Sequence, residues 1–311
     1  MNNAPIIRVS IIIPTHNRAE LLRQTLESIT QIIIPPGKNV ELLVIANACT
    51  DETVHLCQAL RDTMPFSFRC ITESQVGLGY ARNRGLLEAE GEIIAFLDDD
   101  VSVDSHWLAG LLEIFDRYPA DVVAGKVTLW WQEVEKPSWM THRSEHLLSS
   151  VDFGDQVREL FTAGEAVGAN FAIRLCVLAD VAKFRTDLDR QGRAVLAGGD
   201  TYFISQALKA GHRMFYAPRA AIRHWVTPER VTLHYLSRVA YANGLARIQM
   251  LDNPLIRTRI ILAGENIVKY YFYGAMEVLS RGVGYTRGRI NNHIRRMACQ
   301  GVLEALNVWR G

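Results

Sequence analysis

The chain has 311 residues, 49% of them hydrophobic and 22% charged, with 34 Lys+Arg against 33 Asp+Glu and a formal net charge of +1. That balance excludes a disordered or low-complexity chain, and the length allows one large domain or two, with cores that need neither disulfides nor structural metals. The five cysteines (Cys49, Cys57, Cys70, Cys176, Cys299) are an odd set with no CxxC pair, which argues against a disulfide framework and against a zinc site.

In chain order, Val9 to Ile13 predicts a first strand, and Leu21, Leu22, Thr25, Leu26 and Ile29 repeat at helical spacing. Leu42 to Ala46 predicts a second strand and residues 51 to 61 a helix. Phe68 to Thr72, Leu78 to Glu90 and Ile93 to Leu97 predict strand, helix and strand. Short apolar strands alternating with helices are the pattern of a parallel sheet covered by helices, with strands buried on both faces. A helix from about Ser105 to Tyr118 and an extended stretch from Asp121 to Trp131 follow. Residues 132 to 160 have weak periodicity and predict a long loop or a partly helical insertion. Strand-like Asn170 to Arg174, a helix from Thr201 to Ala210 and strand-like segments around 213 to 225 complete a first unit, residues 1 to 225.

Residues 226 to 311 predict a helical extension. They hold twelve Lys+Arg against five Asp+Glu, so the first 225 residues are net acidic and the extension is basic. Ile290, Ile294, Met297, Ala298, Gly301, Val302, Ala305, Leu306 and Trp309 form an apolar stripe, which reads as a packed helix face or as peripheral attachment to an anionic membrane through the neighbouring arginines. The opening MNNAPIIRVS predicts no signal peptide, and no run reaches the roughly 18 uncharged apolar residues of a spanning helix. Glu265, Lys269 and Glu277 interrupt the most apolar late stretch. The expected location is the cytoplasm, peripheral at the inner face of the membrane, with no nucleic-acid partner.

Candidate chemistry gathers where the predicted strands end, which is where open α/β sheets bind ligands. Asp98, Asp99 and Asp100 directly follow Ile93 to Leu97. Three adjacent carboxylates either form a solvated turn capping the next helix or hold a hard cation, Mg²⁺ or Mn²⁺, whose oxygen ligands include phosphate. Pro14-Thr15-His16-Asn17-Arg18 ends the first strand: Arg18 can meet phosphate or cap the sheet, and Thr15 can be an N-cap. Asn47, Thr50 and Asp51 end the second, as partners of a base or ribose or as turn residues. Gly77 to Gly85, with Arg82 and Arg84, opens a helix able to receive anions, though it is neither GxGxxG nor a P-loop. Asp200, after Gly198-Gly199, is an N-cap or a general base. His224 ends a strand-like run as a structural residue or a metal ligand.

Together SIIIPTHNR (10–18), ELLVIANACTD (41–51), VGLGYARNRG (76–85), GEIIAFLDDDV (91–101), GANFAIR (168–174) and GGDTYF (198–203), in this order, resemble the family 2 glycosyltransferases of GT-A fold, over about residues 8 to 225. The resemblance implies an α/β fold with a mostly parallel central sheet, a nucleotide-diphosphate sugar as donor, a glycan or lipid-linked saccharide as acceptor, and inversion at the anomeric carbon. It implies that Pro14, Thr15, Arg18, Asn47, Arg82, Asp98 and Asp99 bind the nucleotide-sugar. It further implies that Asp100 and His224 hold Mn²⁺ or Mg²⁺ and that Asp200 is the catalytic base. Two positions depart from the family pattern. Ala46-Asn47 replaces a frequent Asp-Asp, so UDP is not implied as donor nucleotide, and Gly199 replaces the glutamate before the base. Two alternatives are a nucleotidyltransferase, whose glycine-rich first loop is absent, and a degenerate binding scaffold.

Overall fold

The structure, a computed structural model, describes residues 7–181, 183–188, 198–251 and 254–308. The chain divides into two compact units. The first comprises residues up to Trp130, Ser149–Asp187 and Gly199–Trp225; the second joins Trp131–Leu148, Leu188 and Gly198 to the chain from Val226 onward.

In the first unit the chain runs β1 (Ile7–Thr15), α1 (Ala19–Ile29), β2 (Lys38–Asn47), α2 (Thr53–Leu60), β3 (Ser67–Glu73), α3 (Leu78–Glu88) and β4 (Ile93–Leu97). Next come β5 (Val101–Val103), α4 (Trp107–Arg117) and β6 (Val122–Trp130). After α5 (His142–His146), which belongs to the second unit, follow β7 (Arg158–Leu160), β8 (Asn170–Arg174), α6 (Gly199–Lys209) and β9 (Met214–Trp225). The strands form one sheet in the order β3-β2-β1-β4-β8-β6-β9-β5, with β7 paired to β9. From β3 to β4 all pairings are parallel; β8 then runs antiparallel to β4 and β6, while β6 and β9 are parallel.

The core explains why these segments are strands. Ile11, Ile12, Ile13, Leu42 to Ile45 and Ile94 to Leu97 are completely buried, and each such large aliphatic or aromatic side chain contributes roughly 1.5–3 kcal/mol relative to exposure. β3 departs from the expected burial on both faces. As the edge strand it buries only Phe68 and leaves its other residues half-buried or exposed, because only one neighbour covers it.

In the second unit, α7 (Leu233–Gln249), α8 (Ile256–Gly282) and α9 (Thr286–Ala305) pack together, α9 against both of the others. The crossing of α7 and α9 requires glycine. A Cβ on Gly244 would lie 2.1 Å from the Ala298 carbonyl oxygen, and one on Gly301 would lie 2.0 Å from that of Tyr241. The apolar stripe of α9 is the packed face: Ile290, Ile294, Val302 and Leu306 are buried, the last two against Ile248 of α7. Trp309 lies outside the described residues. No helix among the described residues is long and apolar enough to cross a membrane.

Candidate active site

Every site residue expected from the sequence belongs to the first unit, most of them at the ends of β1, β2, β4 and β9. The turn after β1 is built locally. Asn17 takes a positive φ of 52°, which Asn tolerates better than most residues, and its Oδ1 accepts hydrogen bonds from Thr50 N (2.7 Å) and Asp51 N (3.3 Å). Asp51 in turn accepts from Ala19 N at the start of α1 (3.1 Å) and from the backbone and hydroxyl of Thr53. This lattice fixes Arg18, whose Nη1 donates to Asp99 Oδ1 (2.9 Å) and Asp100 Oδ2 (3.1 Å). Burial disfavours the Arg18 charge, but Asp99 and Asp100 outweigh it and hold the guanidinium more firmly protonated than usual. Thr15 does not cap α1; its hydroxyl donates to Asp99 Oδ2 at 2.7 Å.

The aspartate triplet is not a solvated turn. Asp99 and Asp100 are each only 4% exposed. Burial pushes the Asp99 carboxyl up to about 6, opposed by Arg18 and Thr15 and reinforced by repulsion from Asp100 and Asp98. The triplet backbone is clamped from α1 by Thr25, whose Oγ1 lies 2.9 Å from both the Asp99 and Val101 carbonyl oxygens and accepts from Val101 N. Sequence reasoning missed Thr25, since it counted only toward the helical repeat.

β5, too short to be legible in the sequence, pairs antiparallel with β9 and sets Val101 opposite His224. His224 Nε2 thereby comes within 3.2 Å of Asp100 Oδ1. Asp98, Asp100 and His224 offer ligand atoms that all lie within 4.8 Å of one another, the one such group among the described residues. Two carboxylates and an imidazole beside strand ends suit a divalent cation.

Arg82 of α3 is 2% exposed, lies 3.7 Å from Asp98 Oδ1, donates to the Gly168 carbonyl at 3.3 Å and sits over the Phe184 ring. Asp200 lies in the first turn of α6 and accepts from Thr201 N at 2.8 Å. Gly168 connects the two groups. A Cβ there would lie 2.3 Å from Arg82 Nη2 and 2.5 Å from Asp200 Oδ2, so both side chains close on the same bare Cα. Arg82 therefore stands between the acidic corner and Asp200. Gly168 had entered the sequence reading only within the GANFAIR segment, and its role is visible only in three dimensions.

Asn47 is buried at the end of β2, with its amide turned to the loop before α3: Gly77 N donates to Oδ1 at 2.8 Å and Nδ2 donates to the Gln75 carbonyl at 2.7 Å. Pro14 lies within β1, opposite Ile45 of β2. Trp130 packs edge-to-face on Trp225 beneath the Arg223 guanidinium.

Comparison with known proteins places this geometry among glycosyltransferases. The model of glycosyl transferase family 2 matches residues 10–181. The chain is 28% identical over 255 residues to glycosyltransferase AglE of Haloferax volcanii, covering 82% of this chain and 78% of that one. It is 26% identical over 245 residues to succinoglycan biosynthesis protein ExoM of Rhizobium meliloti, covering 79% and 75%. Among solved structures, mannosyltransferase PcManGT from Pyrobaculum calidifontis, in complex with GDP-Man and Mn²⁺, aligns with a TM-score of 0.66 at 19% identity, over 96% of this chain and 87% of that one. Staphylococcus aureus TarS 1-349 in complex with UDP-GlcNAc aligns at 0.56 and 16% identity, over 93% and 90%. At these identities the two structures establish a shared GT-A fold.

Proposed function

Because this chain belongs to glycosyl transferase family 2 and is a glycosyltransferase of GT-A fold, we propose that it moves a sugar, with inversion, from a nucleotide diphosphate to a hydroxyl of a glycan or lipid-linked saccharide, dependent on a divalent cation. The observation that carries this reading is the convergence of Asp98 and Asp100, from the turn between β4 and β5, with His224 of β9 in one largely buried corner. In the proposal Asp100 and His224 hold Mn²⁺ or Mg²⁺ with Asp98 alongside, and the cation supplies Lewis-acid stabilisation to the departing diphosphate.

The protein's own groups do the rest. Pro14, Thr15 and Arg18 border the nucleotide at the end of β1. Asn47 does so as a brace, since its amide already holds the loop at 75–77. Asp99, tied to Thr15 and Arg18, fixes that wall of the site. Arg82 keeps a positive charge between Asp98 and Asp200, on the side where phosphate charge grows. Asp200 takes the proton of the acceptor hydroxyl as its oxygen attacks the anomeric carbon and the bond to the phosphate oxygen breaks. One base with a direct displacement gives inversion. The transition state is oxocarbenium-like, so negative groups around the sugar and positive groups around the phosphate both lower its energy.

A donor-hydrolysis screen across UDP-, GDP- and dTDP-sugars, with and without added Mn²⁺ or Mg²⁺, tests the proposal. Metal-dependent turnover of one donor is expected, abolished in Asp200→Asn while metal-dependent nucleotide binding persists. Nucleotide binding with no hydrolysis or transfer would point to a binding scaffold, and release of pyrophosphate from an added nucleoside triphosphate and sugar 1-phosphate to a nucleotidyltransferase; either result refutes it.

A further inference from the structure

α8 is amphipathic with its two faces exchanged relative to a helix in water. Its buried residues, Asn266, Glu277 and Ser280, are all polar, and Glu277 is paired with His293 and Arg296 of α9 at 3.4 Å each. Its outward arc is apolar. At 100° per residue Ile260, Ile261, Val268, Phe272, Val278 and Leu279 share one side of the helix, and Val268, Phe272 and Leu279 are 69%, 57% and 62% exposed. The helix of 27 residues is about 40 Å long, and the arc from Ile260 to Leu279 runs along about 30 Å of it. Isolated exposed aliphatic residues are ordinary, but a continuous apolar strip of this length marks a surface that an apolar medium covers.

The charges on this helix identify the medium. Arg257 and Arg259 stand at the start of the strip, Arg281 at its end, and Arg287 and Arg289 just beyond in α9. Among the described residues from 254 to 289, Glu265 is the one exposed acid, and it is ion-paired with Lys269 at 3.1 Å at the margin of the strip. A second copy of the chain docked here by a two-fold axis would bring these bases against one another. An anionic lipid surface complements both features, taking the apolar arc into its acyl boundary and the arginines at its headgroups. With six charged residues along its length α8 cannot span the bilayer.

We propose that α8 lies in the plane of an anionic membrane with the arc from Ile260 to Leu279 immersed. It rests on the reading above only for its consequence, that the acceptor is lipid-linked and met at that surface. The binding itself is read without any transfer.

The full-length protein is sedimented with vesicles of phosphatidylcholine plus phosphatidylglycerol, and with phosphatidylcholine vesicles alone. Strong binding to the first, weaker binding to the second, and a loss of roughly tenfold or more in Val268→Asp/Phe272→Asp are expected. Donor hydrolysis in vesicle-free buffer, which reads the catalytic corner alone, stays unchanged in that variant. Should the double variant not fold, Phe272→Trp serves instead: immersion blue-shifts the emission of the introduced indole over that of the native tryptophans and exposes it to quenching by brominated acyl chains. The proposal is overturned if the wild type does not bind anionic vesicles, if the double variant binds as well as wild type, or if the emission of Phe272→Trp is unaltered by lipid. It is equally overturned if sedimentation velocity shows a stable dimer that the double variant converts to monomer without any vesicle binding.

Discussion

Gly168→Ala isolates the contact between the acidic corner and Asp200. The added methyl would stand 2.3 Å from Arg82 Nη2 and 2.5 Å from Asp200 Oδ2. Restoring both contacts to an ordinary separation of about 3.5 Å moves each atom by roughly 1 Å. Both obstacles are ends of side chains, so the fold yields at the low end of the overpacking cost, about 1 kcal/mol. Gly168 has no positive φ, so backbone strain adds nothing to the variant. Catalysis yields far more, because a displacement of about 1 Å at reacting groups costs on the order of 100-fold. The expected outcome is a kcat for metal-dependent donor hydrolysis down on the order of 100-fold, with KM for the donor little changed and a melting temperature lowered by only a few degrees. A variant that retains kcat within about twofold would show that Asp200 needs no such confinement, and the assignment of a tightly placed base beside Arg82 would be wrong.

His224→Ala removes one of three ligand atoms, and a fall of at least tenfold in Mn²⁺ affinity by calorimetry is expected, on the scale of about 10–100-fold found when even supporting residues of metal sites are lost. Thr25→Val keeps the shape of the side chain but strands the Val101 N–H and the Asp99 and Val101 carbonyls; chemical denaturation should show a loss of about 1–3 kcal/mol, and Mn²⁺ affinity should fall with it. Glu41 is buried, and although burial pushes its carboxyl up, hydrogen bonds from Ser10, Glu90 N and Arg69 hold it below its ordinary value of 4.5. The stability this provides is complete above pH 4.5 and is lost as pH falls through the lowered value, so Glu41→Gln should be less stable by about 1–3 kcal/mol near neutrality, with the gap closing in more acidic buffer.

The parallel half of the sheet was legible because β1, β2 and β4 are continuous apolar runs: Ile93 to Leu97 was read with its observed ends and the other two came out shorter than they are. What the sequence could not show was pairing. β8 was visible as a strand, but nothing in Asn170 to Arg174 states that it runs antiparallel between β4 and β6. β5 and β7 have three residues each, too few for a period of two to register. The missed β5 mattered most, since its pairing with β9 is what brings His224 to Asp100. The triplet itself was conspicuous in sequence, yet the division of labour within it was not. Burial and the hydrogen bonds of Thr15 and Arg18 single out Asp99, and those partners lie more than eighty residues away along the chain.

The late helices show the same limit more sharply. Periodicity revealed an apolar stripe on α9, and its flanking arginines suggested a membrane. That stripe is occupied within the second unit, because Gly244 and Gly301 let α7 and α9 approach until their backbones touch. The helix that keeps an apolar face outward is α8, whose charged interruptions Glu265, Lys269 and Glu277 had argued against a spanning helix. Two of those charges neutralise each other at the margin of the strip, and the third points inward to His293 and Arg296. A stripe at helical spacing states that one face needs an apolar neighbour; only the packing of the other helices decides whether that neighbour is protein or lipid.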